Sequence, residues 1–370
     1  MVYVHVPYCR SFCTYCGFYS ERACPDAAWV DGICEEARRR ADEIAASAAI
    51  NTLYIGGGTP SVLPLDVLGR IADACGGRHY REWTVEVNPD DITPEYAMGL
   101  RELGVNRVSM GVQSLDDGML RWMNRRHDAD GARSAFKMLR QAGFDNVSVD
   151  VIFGVGGLTL SMLETTVREL LSWRPEHISA YQLSVEEGSA LETMIRDGRY
   201  TEAPEEDCRS QYDLLCSLLS AAGYEHYEIS NWARPGYRAV HNSAYWTRAP
   251  YVGLGPGGHS LLNYKPQAVQ QSLDPKLPSA ISVPDPGMRN YRSWNSEELH
   301  GWTSAGELLT DNEIREERIM LGLRTADGIP AELLPQGDVI SLLVSSAVPG
   351  NLRIPEELWF VADDIISSII

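Results

Sequence analysis

The sequence predicts an α/β protein. A partial (β/α)6 barrel is expected in residues 1–230, a β-containing barrel extension in 231–305 and a small, mainly helical C-terminal domain in 306–370. Three observations lead there. Short apolar, strand-like runs alternate with helical patterns over the first 230 residues, which is the signature of βαβ units and a parallel sheet. The residues with chemical character fall just after those strands, where a βα barrel builds its sites. A chain of 370 residues, 44% apolar and 22% charged, can also bury a core of that size.

The elements follow in order. Val2-Tyr3-Val4-His5-Val6 alternates along the chain and reads as the first strand. Further strands are expected at 52–55, 83–87, 106–111, 146–152 and 177–183. Helical patterns separate them at about 27–47, 64–74, 94–103, 116–142, 160–172 and 189–196. Cys208, Tyr212, Leu215, Leu219 and Ala222 keep helical spacing, so a helix is expected over 205–222 with Cys208 on its core face. A polar, glycine-rich stretch fills 225–261, and the proline-bearing 262–290 reads as an irregular excursion. From residue 311 a helix carrying Ile314, Ile319, Met320 and Leu323 leads into the C-terminal domain.

Cys9, Cys13 and Cys16 stand on one short loop directly after the first strand. Three thiolates so placed bind three irons of a 4Fe–4S cube and leave the fourth iron open to another ligand. The alternatives fit less well. A structural zinc site wants four closed ligands, and no second cysteine pair follows. A disulfide framework wants an even count, and a redox Cys-x-x-Cys pair leaves Cys9 idle. The other five cysteines are scattered and, beside an oxygen-sensitive cluster, point to a reducing cytoplasm.

Composition narrows the partners. A net charge of −19 argues against nucleic acid and against an anionic membrane surface, because both need a basic face. The run Arg38-Arg39-Arg40 lies in a helical pattern and reads as a solvated face. No targeting segment and no integral membrane span is expected; peripheral membrane contact would come only through a partner.

Four successive strand ends carry glycine or polar residues. In Ile55-Gly56-Gly57-Gly58-Thr59-Pro60 the glycines let backbone approach a ligand, and their amides suit a carboxylate or phosphate. The stretch is neither a P-loop nor a dinucleotide fingerprint. Glu86, Gln113 and Asp150 occupy the equivalent ends of three further strands. Each alone reads equally as a cap or a structural polar group, but together they form what a ligand site on a βα barrel requires.

With these motifs the chain resembles the radical S-adenosylmethionine (SAM) superfamily. The resemblance is to the branch that holds oxygen-independent coproporphyrinogen III oxidases and their heme-chaperone relatives. It runs through Gly56 to Pro60, Glu86-Val87-Asn88-Pro89, Ser109 to Ser114, Tyr181 to Ser184, Tyr227 to Asn231, His241 to Trp246, Gly253 to Gly257 and Leu321 to Thr325. It implies a 4Fe–4S cluster on Cys9, Cys13 and Cys16 whose open iron chelates the amino and carboxylate groups of SAM. It also implies that Tyr3, Tyr15, Gly57, Gly58, Thr59, Glu86, Gln113, Arg125 and Asp150 line the SAM region. Arg125 reads on its own equally as a surface helix charge. The implied chemistry is reductive cleavage of SAM to methionine and a 5′-deoxyadenosyl radical, with electrons from an outside donor.

Two features place the chain nearer the chaperones than the oxidases. Oxidases of this type carry a further cysteine two residues after the third ligand, where this chain has Phe18. They also carry a long segment before the cluster motif, whereas eight residues precede Cys9 here. The resemblance then implies heme as a ligand, a recipient hemoprotein as partner, and His241 of His241-Asn242-x-x-Tyr245-Trp246 as heme ligand. A neutral imidazole suits an axial iron position. On the residues alone, His241 reads rather as a local structural group, and His226 and His259 compete with it. Gly258 and Val155-Gly156-Gly157 depart from the usual pattern of the branch, on the side of the expected porphyrin cavity.

Overall fold

The computed structural model describes residues 1–264, 289–335 and 338–370. Six strands, β1 (Val2–Val6), β2 (Thr52–Gly57), β3 (Glu82–Val87), β4 (Arg107–Gln113), β5 (Val147–Phe153) and β6 (His177–Gln182), pair parallel and in chain order. Alternation within them decides the layers. Val4, Ile55, Val85, Val108, Val149 and Ile178 point to one face and are buried in the hydrophobic core. In register on the other face stand Tyr3, Tyr54, Thr84 and Arg107, and one step on Glu86, Ser109, Ser148 and His177. A sheet with a polar lumen and an apolar outer face must be covered by helices on the outside.

Those helices are α1 (Ala27–Arg39), α2 (Ala41–Ala46), α3 (Leu65–Ala74), α4 (Pro94–Leu103), α5 (Asp117–Trp122), α6 (Ala129–Gln141), α7 (Leu160–Trp173) and α8 (Ala190–Arg196). They present Trp29, Ile33, Leu68, Ile71, Leu100, Leu139, Leu163 and Leu170 to the sheet, each at most 1% exposed. Each such side chain contributes roughly 1.5–3 kcal/mol by leaving water. Asp26, Thr93, Asp116, Asp128, Thr159 and Ser189 start six of the helices by accepting a backbone N–H. Two expected long helices are each divided. The first breaks at Arg40, and 116–142 breaks where Asn124 takes φ +56° and Asp128 caps a new helix. Helical periodicity continues across both breaks, so it does not reveal them.

Beyond α9 (Glu205–Ala221), the stretch that reads as glycine-rich loop is mostly structured. β7 (Glu225–Glu228) and β8 (Asn231–Ala233) extend the sheet antiparallel past β6. After α10 (Val240–Trp246), β9 (Val252–Leu254) pairs parallel with β1 at the other edge. The large sheet therefore runs across residue 230. β10 (His259–Tyr264), β11 (Arg289–Asn295) and β12 (Ser304–Leu308) form a second, antiparallel sheet. The expected irregular excursion over 262–290 is thus strand at both ends, and its remainder lies outside the described residues.

The C-terminal part opens on α11 (Asp311–Gly322), started by a reciprocal cap between Thr310 and Glu313. Three short strands, β13 (Ile329–Pro330), β14 (Val344–Ser345) and β15 (Asn351–Arg353), and α12 (Ala362–Ser367) complete it. Among the described residues no helix is long and apolar enough to cross a membrane.

Candidate cofactor site

The cysteine loop leaves the C-terminal end of β1 and is held from three sides. Tyr8 bridges to Glu21, and the Cys9 N–H donates to the Glu21 carbonyl at 3.1 Å. Thr14 is tied to the end of α5, its N–H to the Met123 carbonyl and its hydroxyl to the Trp122 carbonyl. The Leu191 N–H of α8 donates to the Thr14 carbonyl, and Asn124 reaches the Phe12 carbonyl. So anchored, the loop keeps Cys9 buried while Cys13 and Cys16 are half-buried. Burial pushes the Cys9 thiol up and the Cys16 thiol up to about 11, so these sulfurs need a cation to ionise at neutral pH. The three sulfurs do not crowd round one point within 4.8 Å, as a single ion demands. Thiolates that each hold a different iron need no such convergence.

The glycine-rich end of β2 abuts the same loop. Gly58 donates its N–H to the Val6 carbonyl at 2.7 Å. A Cβ on Gly58 would lie 2.8 Å from the Tyr8 carbonyl and 3.0 Å from the Cys9 sulfur, so only glycine lets the strand end sit against the loop. Gly57 has φ +109° and its N–H donates to Glu86 at 3.2 Å. The Thr59 hydroxyl lies 3.4 Å from the Cys9 sulfur.

Arg125 is no surface charge. It sits in the turn between α5 and α6, donates to the Cys13 sulfur at 3.3 Å and to the Gly111 carbonyl at 2.7 Å. A cation there offsets the negative charge that thiolates and a reduced cluster bring. Gln113 ends β4 with φ +67°, a strained conformation for a side-chain-bearing residue. Its Oε1 and the Nε of Arg125 are buried with no hydrogen-bond partner among the described residues. Two orphaned polar atoms of opposite character beside the cysteine loop are what a site with an absent polar ligand leaves behind.

Deeper in the lumen, Tyr54 donates to Glu86 at 2.6 Å and Ser109 to Asp150 at 3.3 Å. Burial lifts the Glu86 carboxyl to about 7 and the Asp150 carboxyl to about 6, against the hydrogen bonds that favour their charged forms. Two carboxylates with spare acceptor capacity suit the hydroxyls of a ribose. The Tyr3 hydroxyl pairs with His5 Nδ1 at 3.0 Å, and His5 Nε2 with the Tyr19 carbonyl at 2.8 Å, linking β1 to the loop. Tyr15 packs half-buried by Cys13, where burial and that thiol push its phenol well above its ordinary value. Tyr54 and Arg107 belong to this lumen but stand in no motif, and Ser109 belongs to it too, from the motif that ends in Gln113 and Ser114. Their signal is register, each lying an even number of residues from a strand-end group.

His241 lies elsewhere. It is 1% exposed, at the opposite end of the lumen from the loop, with Nδ1 2.8 Å from the hydroxyl of Thr52, the first residue of β2. Its Nε2 pairs with the Tyr245 hydroxyl at 2.8 Å, and its own N–H donates to Glu82. Both ring nitrogens are engaged by protein hydroxyls in this conformation. The imidazole acts as part of the barrel floor, kept neutral because burial lowers it to about 3.

The chain is similar to known proteins. A family profile described as the Radical SAM superfamily matches residues 3–170. The heme chaperone HemW of Bacillus subtilis (strain 168) is 31% identical over 336 residues, 88% of this chain and 84% of its own. That of Lactococcus lactis is 32% identical over 339 residues, 89% of this chain and 83% of its own. The solved coproporphyrinogen III oxidase HemN of Escherichia coli matches with a TM-score of 0.71 over 99% of this chain and 88% of its own, at 16% identity, a likeness of fold.

A parallel partial barrel with a three-cysteine loop after its first strand and a glycine-rich end on its second defines the radical SAM class. Membership in that class brings a 4Fe–4S cluster and SAM. Within the superfamily this chain belongs to the HemW family.

Proposed function

We propose that this chain is a cytoplasmic heme chaperone, which binds heme and passes it to a recipient hemoprotein while carrying a 4Fe–4S cluster and SAM at the barrel mouth. The observation that carries this reading is the 30–35% identity to proteins named heme chaperone HemW over 70–90% of the chain. Phe18, 71% exposed where the oxidases have a further cysteine, supports it.

Cys9, Cys13 and Cys16 would hold three irons, and Gly57, Gly58, Thr59, Tyr3, Tyr15, Glu86, Gln113, Arg125 and Asp150 would bind SAM. When bound, the cluster and SAM together supply reductive cleavage of the sulfonium, with electrons from a separate donor. The chain's own residues do the positioning. Gly58 permits close approach at the cysteine loop, and Glu86 and Asp150 would accept hydrogen bonds from hydroxyl groups. The unpaired Gln113 oxygen and Arg125 Nε take up polar groups that enter the mouth.

Anaerobically reconstituted protein tests the reading. Saturable, near-stoichiometric heme binding without conversion of coproporphyrinogen III to protoporphyrinogen in the presence of SAM and reductant is the expected result. Decarboxylation at a sustained rate overturns it in favour of the oxidase. Heme transfer to an apo-hemoprotein tests the chaperone step. His241 stands as a heme ligand only if heme binding falls in His241→Ala.

A further inference from the structure

At the sheet edge farthest from β1, side chains from three elements converge. Cys216 on α9, His226 on β7 and Glu356 in the short 3-10 segment Glu356–Val361 bring one sulfur, one nitrogen and one carboxylate oxygen within 4.8 Å of one another. Among the described residues no other group of three His, Cys, Asp or Glu side chains does so. His226 Nδ1 is the shared vertex, 2.8 Å from Glu356 Oε1 and 4.0 Å from the Cys216 sulfur.

The imidazole is held in place as ligating histidines are. It stacks on Trp232 with centroids 4.0 Å apart and planes 13° apart, and meets the edge of Trp359 at 4.3 Å. Its other nitrogen, Nε2, faces the Tyr212 hydroxyl at 3.5 Å, and that hydroxyl donates to the Ile229 carbonyl at 3.0 Å. An outer partner on the second nitrogen fixes both tautomer and ring orientation. The His226 side chain is 4% exposed and that of Glu356 45%, so the cluster is walled by aromatic rings and opens to water on the carboxylate side.

The His–Glu hydrogen bond accounts for two of these groups; the Cys216 sulfur lies 4.0 Å from the same imidazole nitrogen and also pairs with the Tyr212 hydroxyl, so three ligand types meet at one point. We propose that Cys216, His226 and Glu356 bind one divalent ion of the zinc class, with water in the fourth position. Thiolate, neutral imidazole and carboxylate are the ligand types of zinc, and three protein ligands with one open position are an established zinc geometry. The two anionic ligands neutralise the dication, which permits partial burial. Magnesium and calcium are disfavoured, because they take oxygen ligands in six- to eight-fold coordination. The ion pins residue 356 of the C-terminal part to α9 and to the edge strand β7, closing a loop of 130 residues between His226 and Glu356. Binding to the folded state alone makes it a clamp on that docking.

The test uses the full chain with its cluster reconstituted, exposed to zinc and then desalted, with zinc and iron measured together. One equivalent of zinc beyond the cluster iron is expected. Cys216→Ser and Glu356→Gln each lose it with iron content unchanged. Cobalt(II) in place of zinc gives a thiolate-to-metal absorption band that vanishes in Cys216→Ser. Zinc raises the melting midpoint of the wild type and not of the two variants, whose midpoints in chelator match the wild type in chelator. No zinc retained, or equal zinc in the wild type and Cys216→Ser, overturns the proposal.

Discussion

The two ends of the barrel lumen are lined by the same polar register of strands, yet they finish differently. At the floor nearly every group is paired. His241 is bonded through both ring nitrogens, and Glu82 accepts the N–H groups of Val240 and His241. His177 is held between the hydroxyls of Ser148 and Tyr227, each at 2.7 Å. Among the described residues Arg107 Nε and, on α10, Ser243 Oγ are left without a partner. At the mouth, Gln113 Oε1 and Arg125 Nε are orphaned, Gln113 is strained, and two carboxyls are held above their ordinary range. The difference separates structure from function within one cavity. Polar groups satisfied by protein make a rigid floor, while polar groups left waiting mark where a ligand enters.

The largest effect should come at the cysteines. Any one of Cys9→Ala, Cys13→Ala or Cys16→Ala removes an iron ligand, and cluster iron in the purified anaerobic protein should fall to near zero. Retention of a full cluster in any single variant would break the assignment of that residue.

Next is Gly58→Val. Its side chain would be driven against the Tyr8 and Val6 carbonyls, 2.8 and 2.9 Å from the added Cβ, and neither can yield without moving β1 or the loop. SAM affinity, measured by perturbation of the reduced cluster's EPR spectrum, should drop about a hundredfold, corresponding to ~2.8 kcal/mol.

Glu86→Gln should cost about tenfold in SAM affinity, the lower end expected for losing a hydrogen bond to a charged group. It also tests the sign of the pH dependence. In the folded, ligand-free protein the Glu86 carboxyl is raised to about 7 from 4.5 and that of Asp150 to about 6 from 3.8. The folded state then binds more protons than the unfolded one between those values, so stability of the ligand-free protein falls as pH rises through the window. On the proposed assignment ribose hydroxyls would donate to the ionised carboxylates, so SAM affinity should rise over the same interval and level off above about 7. Glu86→Gln should flatten that rise, and an affinity that falls with pH would contradict the assignment.

The smallest functional effect is expected at the floor. His241→Ala leaves Thr52 and Tyr245 short of a partner and should destabilise the fold by about 1–3 kcal/mol in denaturant unfolding. Heme binding by the folded variant should be unchanged. A selective loss of heme binding, with stability intact, would erase the contrast between the two ends.

Much of this was legible along the chain. The six strands lie close to where the short strand-like runs place them, and Cys9 meets Gly58 and Thr59, some fifty residues on, at one loop. What periodicity missed has local reasons. β9 has three residues inside a glycine-rich stretch, and its place beside β1 depends on the sheet edge, not on its own composition. The breaks at Arg40 and Asn124 interrupt helices whose apolar spacing continues on both sides.

His241 shows the boundary most clearly. Its motif is readable in sequence, but whether an imidazole faces a ligand or a hydroxyl is set by which strand end it lands on. Arg125 shows the same in reverse: its residues read equally as a surface charge, and the turn after α5 carries it to Cys13. The amino-acid sequence by itself determined the cofactor class and the alternation that makes a polar lumen, because both rest on residue types at short, fixed spacings. Only the tertiary structure decided which lumen groups stay unpaired and which of Cys216, His226 and Glu356 come together, because hydrogen-bond satisfaction and convergence depend on neighbours brought in from distant parts of the chain.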